Sequence, residues 1–448
     1  MNMQSVFFLG IGGIGMSALA RFLKIQPIKI AGYDKTCTAL TQELEKENIP
    51  VYYEDIPELI ADFDCVVYTP AIPKTLKLFQ TALHSKKLLL KRSQLLGEIS
   101  KNYDTLAVAG THGKTTTSGM LTHLLKSSGL DCSAFVGGIT KNYHSNFILG
   151  KSNTLVVEAD EYDRSFLTLF PQNAIITSVD PDHLDIYQTS EGFIEGFYQF
   201  ASQVQDKIFL DENLKEFAKN IKKSYHFYGI TKNTPYNIVL KESYGLKNYF
   251  DYHSPFGEIK DLVLHFPGEH NLKNICAAIS LAMLKGASID GIKKGVSTFQ
   301  GIQRRFDIIL DTKEMVYIDD YAHHPVEIST LLNSIKKLLP NYPIIAIFQP
   351  HLYSRTKDFA NQFAESLSIA NTLIMLPIYP ARENPIPGIT SQMIYEQIQC
   401  KHKYLISMEE IVDKLPQFIT KPSVILTIGA GDIDKIVEPL KNKLISIQ

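Results

Sequence analysis

Two patterns of apolar positions alternate along this chain. Short unbroken apolar runs come first, and each is followed by a stretch whose apolar residues return every three or four positions. The first pattern predicts buried strands and the second predicts amphipathic helices. Over the first hundred residues the runs place strands near 5–9, 28–33, 64–69 and 87–91, with helices over about 14–24, 38–47 and 93–100. A polar stretch at 102–104 reads as a linker, after which "DTLAVAG" starts a new strand that leads into a threonine-rich helix from Lys114. "NTLVVEAD" and "NAIITSV" continue the strand pattern, and "GEHNLKNICAAISLAMLKG" is a helix. Residues 211–265, rich in Lys, Asn and Tyr, carry weaker signals and predict an antiparallel edge or a peripheral subdomain. A last series of strands, "MVYIDD", "IIAIFQP", "NTLIMLP" and "SVILTIG", begins after "FQGIQRRFD". Strands alternating with helices in this way predict parallel sheets covered by helices.

At 448 residues the chain has room for about three domains. The expected boundaries are 1–101, 102–301 and 302–448. Lys and Arg number 45 against 47 Asp and Glu, and no basic run stands out, which argues against nucleic acid as the main partner. No apolar stretch is long enough to enter and cross a bilayer. Residues 6–20 are mostly apolar, but no Lys or Arg precedes them and glycines interrupt them, unlike a signal peptide. Cysteines 37, 65, 132, 276 and 400 are scattered without a C-x-x-C pair, the usage of a reduced, cytoplasmic compartment.

Two glycine-rich stretches interrupt the strand–helix pattern. Gly10, Gly12 and Gly15, with Gly13 between them, fit G-x-G-x-x-G between a strand and a helix, a cradle for a diphosphate on free N–H groups. Asp34 ends the next strand, where it would accept from a ribose hydroxyl. This stretch alone fits NAD, FAD or any nucleotide diphosphate, as well as a plain structural turn. The second stretch, "GTHGKTTT", holds Gly110, Thr111, His112, Gly113, Lys114, Thr115 and Thr116. It follows a strand and opens a helix, as a phosphate loop requires, although Val108 stands where the standard pattern has its first glycine. Lys114 would reach the β- and γ-phosphates, and the Thr115 hydroxyl would bind Mg²⁺.

Downstream, Glu158, Asp160, Glu161 and Asp163 cluster at a strand end, offering carboxylate oxygens for a hard cation or forming a solvated acidic loop. His183 lies between Asp182 and Asp185, with a metal or phosphate role or a structural one open to it. "IDDYAHHPVEI" carries Asp319, Asp320, His323 and His324, with Pro325 suited to a first helical turn. "FQPHLYSRT" offers His351 and Arg355 for an anionic group, and "QRRFD" offers Arg304 and Arg305.

The ordered set "GIGGIGMSALA", "GTHGKTTT", "EADEYDRSF", "DPDHLDIY", "PGEHNLKN", "FQGIQRRFD", "DDYAHHP", "FQPHLYSRT" and "GAGDI" covers nearly the whole chain and resembles the Mur ligase family. "GTHGKTTT" is that family's form of the phosphate loop, which accounts for Val108. The resemblance implies a three-domain α/β protein, with a Rossmann-like N-terminal domain for a uridine diphosphate sugar. A central P-loop ATPase-like domain with a mixed sheet would bind ATP, and a Rossmann-like C-terminal domain would handle the amino acid. The implied reaction joins L-alanine to the carboxylate of UDP-N-acetylmuramate through an acyl phosphate, in bacterial cell-wall precursor synthesis. Neighbouring readings are a ligase that attaches a whole murein tripeptide to the same sugar and, from the first loop alone, a nucleotide-dependent oxidoreductase.

By motif position, Thr115, Glu158 and His183 resemble metal ligands, and His270 and Asn271 resemble adenine contacts. Arg305 and Asp320 resemble residues that meet ATP; Tyr321, His323, His351 and Arg355 resemble those handling alanine and the muramoyl carboxylate. Thr69, Pro70, Ala71, Ile72 and Arg92 resemble uridine-nucleotide contacts. Several sister ligases carry a carbamylated lysine after the His183 equivalent, whereas residues 184–206 here contain no lysine, in keeping with the alanine-adding branch. Leu352 stands where some alanine ligases have arginine. A monomer or homodimer is expected, with no nucleic acid and no membrane insertion.

Overall fold

Strands that are covered on both faces are largely apolar, and Ser5–Leu9, Thr105–Ala109, Ile344–Phe348 and Ser423–Ile428 are buried at every position, with only Ser and Thr among their polar residues. The computed structural model describes residues 3–182, 184–381 and 383–447. Its strands form three sheets, of five, ten and six strands. The α/β class expected from the strand–helix alternation is what the chain adopts, with one sheet for each of three regions and a mixed sheet in the middle.

In the N-terminal sheet the order is Val51–Tyr52, Lys29–Tyr33, Ser5–Leu9, Cys65–Tyr68, Leu88–Lys91, and every pair is parallel. Ser5–Leu9 therefore has successive strands on opposite sides, with Val6 level with both Ile30 and Cys65. At such a reversal the loops leaving the strand ends diverge and open a crevice. Gly10–Gly13 is the loop that leaves there, before the helix Ile14–Lys24, whose first turn carries Gly15.

The central sheet repeats the device. Asp104–Ala109 lies between Thr154–Glu158 and Asn173–Ile176, parallel to both. The loop that leaves it runs into the helix Lys114–Ser127. Residues 211–265 do form an antiparallel edge, but as a continuation of this same sheet and not as a separate subdomain. Ser224–Gly229 and Tyr236–Tyr244 extend it, and Lys247–Ser254 pairs antiparallel with Gly257–Leu264. The opposite edge is a hairpin of Ser133–Thr140 and Ser145–Ile148 that the sequence pattern did not reveal. Asp104, expected in a linker, already belongs to the central strand.

In the C-terminal sheet, Met315–Asp320, Ser423–Ile428, Ile344–Phe348, Thr372–Met375 and His402–Leu405 are parallel, and Asp307–Asp311 is an antiparallel edge. By internal contacts the chain divides into two compact units. The first holds Met1–Ser243, Asn248–His265 and Glu269–Gln300; the second holds Tyr244–Lys247, Phe266–Gly268 and everything from Gly301 onward. Among the described residues, no helix is long and apolar enough to cross a membrane.

Candidate active site

The second glycine loop takes its shape from two glycines with positive φ. Gly110 has φ +132°, and a Cβ there would run into the Thr177 side chain and the Ser178 backbone. Gly113, at φ +82°, caps the helix that Lys114 begins. Neither conformation suits a residue with a side chain, and the loop is tied to the next strand end, with the Thr111 N–H donating to the Ser178 carbonyl at 3.3 Å. His112 is exposed and donates its N–H to Ser178 Oγ at 3.0 Å, and Thr111 Oγ1 donates to the Asp180 carbonyl at 2.7 Å. Thr116 is half-buried in the first helical turn.

Lys114 curls back over the loop. Its ammonium donates to the Gly110 carbonyl at 2.7 Å and to Glu161 at 2.9 Å. Glu161 has a side chain only 2% exposed, and burial pushes its carboxyl above the usual range against the pull of Lys114. Thr115 donates its hydroxyl to Glu158 Oε1 at 2.9 Å, and the Gly137 N–H donates to Oε2 at 2.7 Å. Burial raises Glu158 as well, while Lys114 and those two donors oppose the shift. A hydroxyl and a carboxylate are the hard oxygen donors that Mg²⁺ takes alongside phosphate oxygens and water, so the pair fits the cation. His183, expected as a further ligand, lies outside the described residues. Among the described residues no cluster of three or more His, Cys, Asp or Glu forms a self-sufficient metal cage.

The first glycine loop is held differently. The N–H of Gly12 donates to Asp34 Oδ2 at 2.8 Å, and the N–H of Thr36 donates to Oδ1 at 3.2 Å. Asp34, expected to meet a ribose, thus also braces the loop, and one of its oxygens is committed to Gly12. Thr69 and Ile72 pack against Gly10, and Thr69 Oγ1 accepts from the Ala71 N–H at 3.4 Å, while Pro70 is exposed. A Cβ on Gly15 would stand 2.8 Å from the Arg92 guanidinium, so the missing side chain admits that cation. Gly13 caps the helix through its backbone, with no side-chain cap.

A space of about 320 Å³ is lined by Gly13 and Gly15 of the first loop with Thr69 and Arg92, and by Gly137, Glu158 and Asp160 of the central sheet. A more open depression around Gln80 and His84 holds none of the candidate residues. On the far side of the phosphate loop, Asn274 stands against Gly113 from the helix Glu269–Leu284. His270 is exposed at the start of that helix and Asn271 is buried.

The second unit gathers its candidates at the C-terminal ends of its strands. Asp320 accepts the N–H of Phe306 at 2.7 Å and of Ala322 at 2.8 Å, and burial raises its carboxyl. Of the paired arginines, Arg304 is tied down: it donates to the carbonyls of Gly429 and Gly431 in "GAGDI" and ion-pairs with Asp319 at 3.5 Å. Arg305 is exposed beside the Tyr321 ring. The rings of Tyr321 and His323 lie 5.4 Å apart, and those of His323 and His351 lie 6.2 Å apart. Arg355 reaches His351 Nδ1 at 3.3 Å. Thus Tyr321, His323, His351 and Arg355 form one cluster. Sequence reasoning missed Glu327, whose carboxylate accepts the N–H groups of His323 and His324, and Tyr379, which stacks on His351. Glu327 was findable as the acid three residues after the helix cap; Tyr379 arrives from a distant loop with no local signal. Leu352 takes φ +73° and donates its N–H to the Tyr379 carbonyl at 3.0 Å.

Known proteins bear on this arrangement. Three family profiles match consecutive parts of the chain: "Mur ligase family, catalytic domain" over residues 5–104, "Mur ligase middle domain" over 108–282, and "Mur ligase, glutamate ligase domain" over 304–431. A UDP-N-acetylmuramate–L-alanine ligase of Parabacteroides distasonis is 44% identical over 459 aligned residues, covering 99% of this chain and 98% of the relative. One from Flavobacterium johnsoniae is 42% identical with the same coverage. The crystal structure of the UDP-N-acetylmuramate–alanine ligase of Thermotoga maritima superposes with a TM-score of 0.83 at 26% identity, covering 100% of both chains. A murein peptide ligase of Psychrobacter arcticus shares the fold, at TM-score 0.73 and 22% identity. With matches of this extent and identity over a lysine-bearing phosphate loop and a second glycine cradle, the chain belongs to the Mur ligase family.

Proposed function

We propose that this chain is an ATP-dependent ligase that joins L-alanine to the carboxylate of UDP-N-acetylmuramate, a step of peptidoglycan precursor synthesis. One observation carries the reading: the cavity beside the first glycine loop is lined by Gly13, Gly15 and Arg92 and also by Glu158, the carboxylate that accepts from Thr115 of the second loop. A sugar carboxylate extending from the first would thereby approach a phosphate held at the second. Proximity of this kind accounts for much of the rate of a two-substrate reaction.

Gly10, Gly12, Gly13 and Gly15 would hold the diphosphate with Arg92, and Asp34 and Thr69–Ala71 would border the nucleoside. Gly110–Thr116 would wrap the ATP phosphates, with His270 and Asn271 near adenine. Lys114 would trade Glu161 for the γ-phosphate and neutralise charge as the muramoyl carboxylate attacks phosphorus and ADP leaves. Mg²⁺, held by Thr115 and Glu158, would supply charge neutralisation at the phosphates. The alanine amine would then attack the acyl carbon, expelling phosphate. Arg305 and Asp320 are assigned to ATP, and Arg355 and His351 to carboxylates. Partial burial lowers His323, and its Nδ1 lies 3.0 Å from the Tyr321 carbonyl, which leaves Nε2 of a neutral ring to take the proton that the alanine ammonium must lose.

The test is phosphate release from ATP and UDP-N-acetylmuramate with L-alanine, glycine, L-serine or the murein tripeptide as acceptor. Release that depends on L-alanine is expected. Turnover with the tripeptide alone, or hydrolysis indifferent to acceptor, would overturn the reading.

A further inference from the structure

In the segment 160–164 each of the three acids is held by a base, two of them by the neighbours Lys91 and Arg92 and one by Lys114 of the second loop. Asp160 pairs with Arg92 at 3.4 Å, against Gly15 of the first glycine loop. Glu161 pairs with Lys114 at 2.8 Å, in the second loop. Asp163 pairs with Lys91 at 2.9 Å, on the N-terminal sheet. The backbone between them is bent against preference: Asp163 has φ +53° and Arg164 φ +55°, the left-handed region that residues with side chains avoid. Two contacts hold that bend. Tyr187, 3% exposed, donates its hydroxyl to the Glu161 carbonyl at 2.7 Å, and the Arg164 guanidinium lies 5.0 Å over the same ring.

We propose that segment 160–164 couples the sugar-nucleotide pocket to the phosphate-loop lysine, with Lys91 and Tyr187 as positioning residues. The proposal rests on the two-nucleotide reading of the site and adds to it a link between the nucleotides. Arg92 serves both Asp160 and the diphosphate. When the diphosphate engages it, Asp160 loses its partner, and the next residue, Glu161, is the one competing with ATP for Lys114. A segment pinned at Asp163 and at the Glu161 carbonyl transmits that change, whereas a loose segment absorbs it. The sugar nucleotide therefore tightens ATP binding, and by linkage ATP tightens sugar binding by the same factor.

Isothermal titration with a non-hydrolysable ATP analogue, without and with saturating UDP-N-acetylmuramate, reads the coupling directly. In the wild type the sugar nucleotide is expected to tighten the analogue by about 5-fold or more. In Lys91→Ala and in Tyr187→Phe the enhancement falls below about 2-fold, while each ligand alone binds within about 2-fold of wild type. A purely structural role would instead weaken the single-ligand affinities. Tyr187→Phe keeps the ring and decides the matter should Lys91→Ala fail to fold. Independent binding of the two ligands by wild type, or full coupling in a folded variant, would overturn this proposal alone. Failure of the wild type to bind the sugar nucleotide would overturn the functional reading and this proposal with it.

Discussion

Gly10–Gly15 and Gly110–Lys114 each leave the strand at which their sheet's order reverses, and each opens a helix. They differ in where their charge comes from. The first loop contains no cation; its guanidinium, Arg92, leans in from another helix through the gap at Gly15, and an acid, Asp34, braces it from below. The second carries its own cation, Lys114, held by a loop carbonyl and a buried acid. A diphosphate that is only held needs backbone donors and a fixed counter-charge. A phosphoryl group that moves needs a charge able to move with it, on a flexible stem. On the proposed function, the same topological position grips in one case and transfers in the other.

The contrast is open to experiment. Lys114→Ala should lower alanine-dependent phosphate release by on the order of 10²–10³-fold, about 3–4 kcal/mol, while UDP-N-acetylmuramate binding by calorimetry is retained. Equal loss of both would erase the distinction between the loops.

Acid should loosen the helix of the second loop selectively. His123 on that helix accepts or donates to Tyr143 and Thr298 at 2.9 Å each, and burial lowers its pKa from 6.5 to about 4. The unfolded chain therefore binds a proton that the folded one refuses between those values, so stability is complete above pH 6.5 and falls as pH drops toward 4. The loss is at most about 3 kcal/mol. Asp319, which burial raises to about 6, slopes the other way, so the measurement is the difference between wild type and His123→Gln in thermal unfolding across that range. A pH-independent difference would refute this account of His123. The helix of the first loop has no histidine and is anchored through Arg21 to Glu47 and Asn146.

Gly110→Ala forces a side chain into φ +132° against Thr177, at a cost of about 1–3 kcal/mol. Analogue binding should weaken by a matching factor; an unchanged affinity would mean that the loop has another conformation available. The smallest effect is expected for Asp34→Asn. It exchanges a charge-assisted bond to Gly12 for a neutral one, about 1 kcal/mol, and should weaken the sugar nucleotide about fivefold without touching ATP. Weaker ATP binding in that variant would show that Asp34 serves both loops.

Much of this was legible in the residue order. The strands near 5–9, 64–69 and 87–91 and the helix over 14–24 stand where the apolar pattern put them, since a strand covered on both faces, as Ser5–Leu9 is, stays largely apolar and a covered helix keeps only one polar stripe. Lys114, Thr115 and the glycines around them were recognisable because a phosphate loop is a contiguous object, built from neighbours in sequence. The short strand Val51–Tyr52 and the helix Lys77–His84, with only Leu78 and Ala82 buried, left too weak a periodicity to read.

Which charge meets which was not legible. Four acids stand close together in "EADEYD", and nothing in their order says that Glu158 meets Thr115 while Glu161 meets Lys114 and Asp163 meets Lys91. Nor does it say that Arg304 is tied into the Gly429–Gly431 turn while its neighbour Arg305 faces solvent. Local sequence determined the elements and the two glycine loops, because backbone conformation and burial act over a few residues. Only the tertiary structure decided the partners, because an ion pair is chosen by distance in space, and that distance depends on how whole sheets and helices pack.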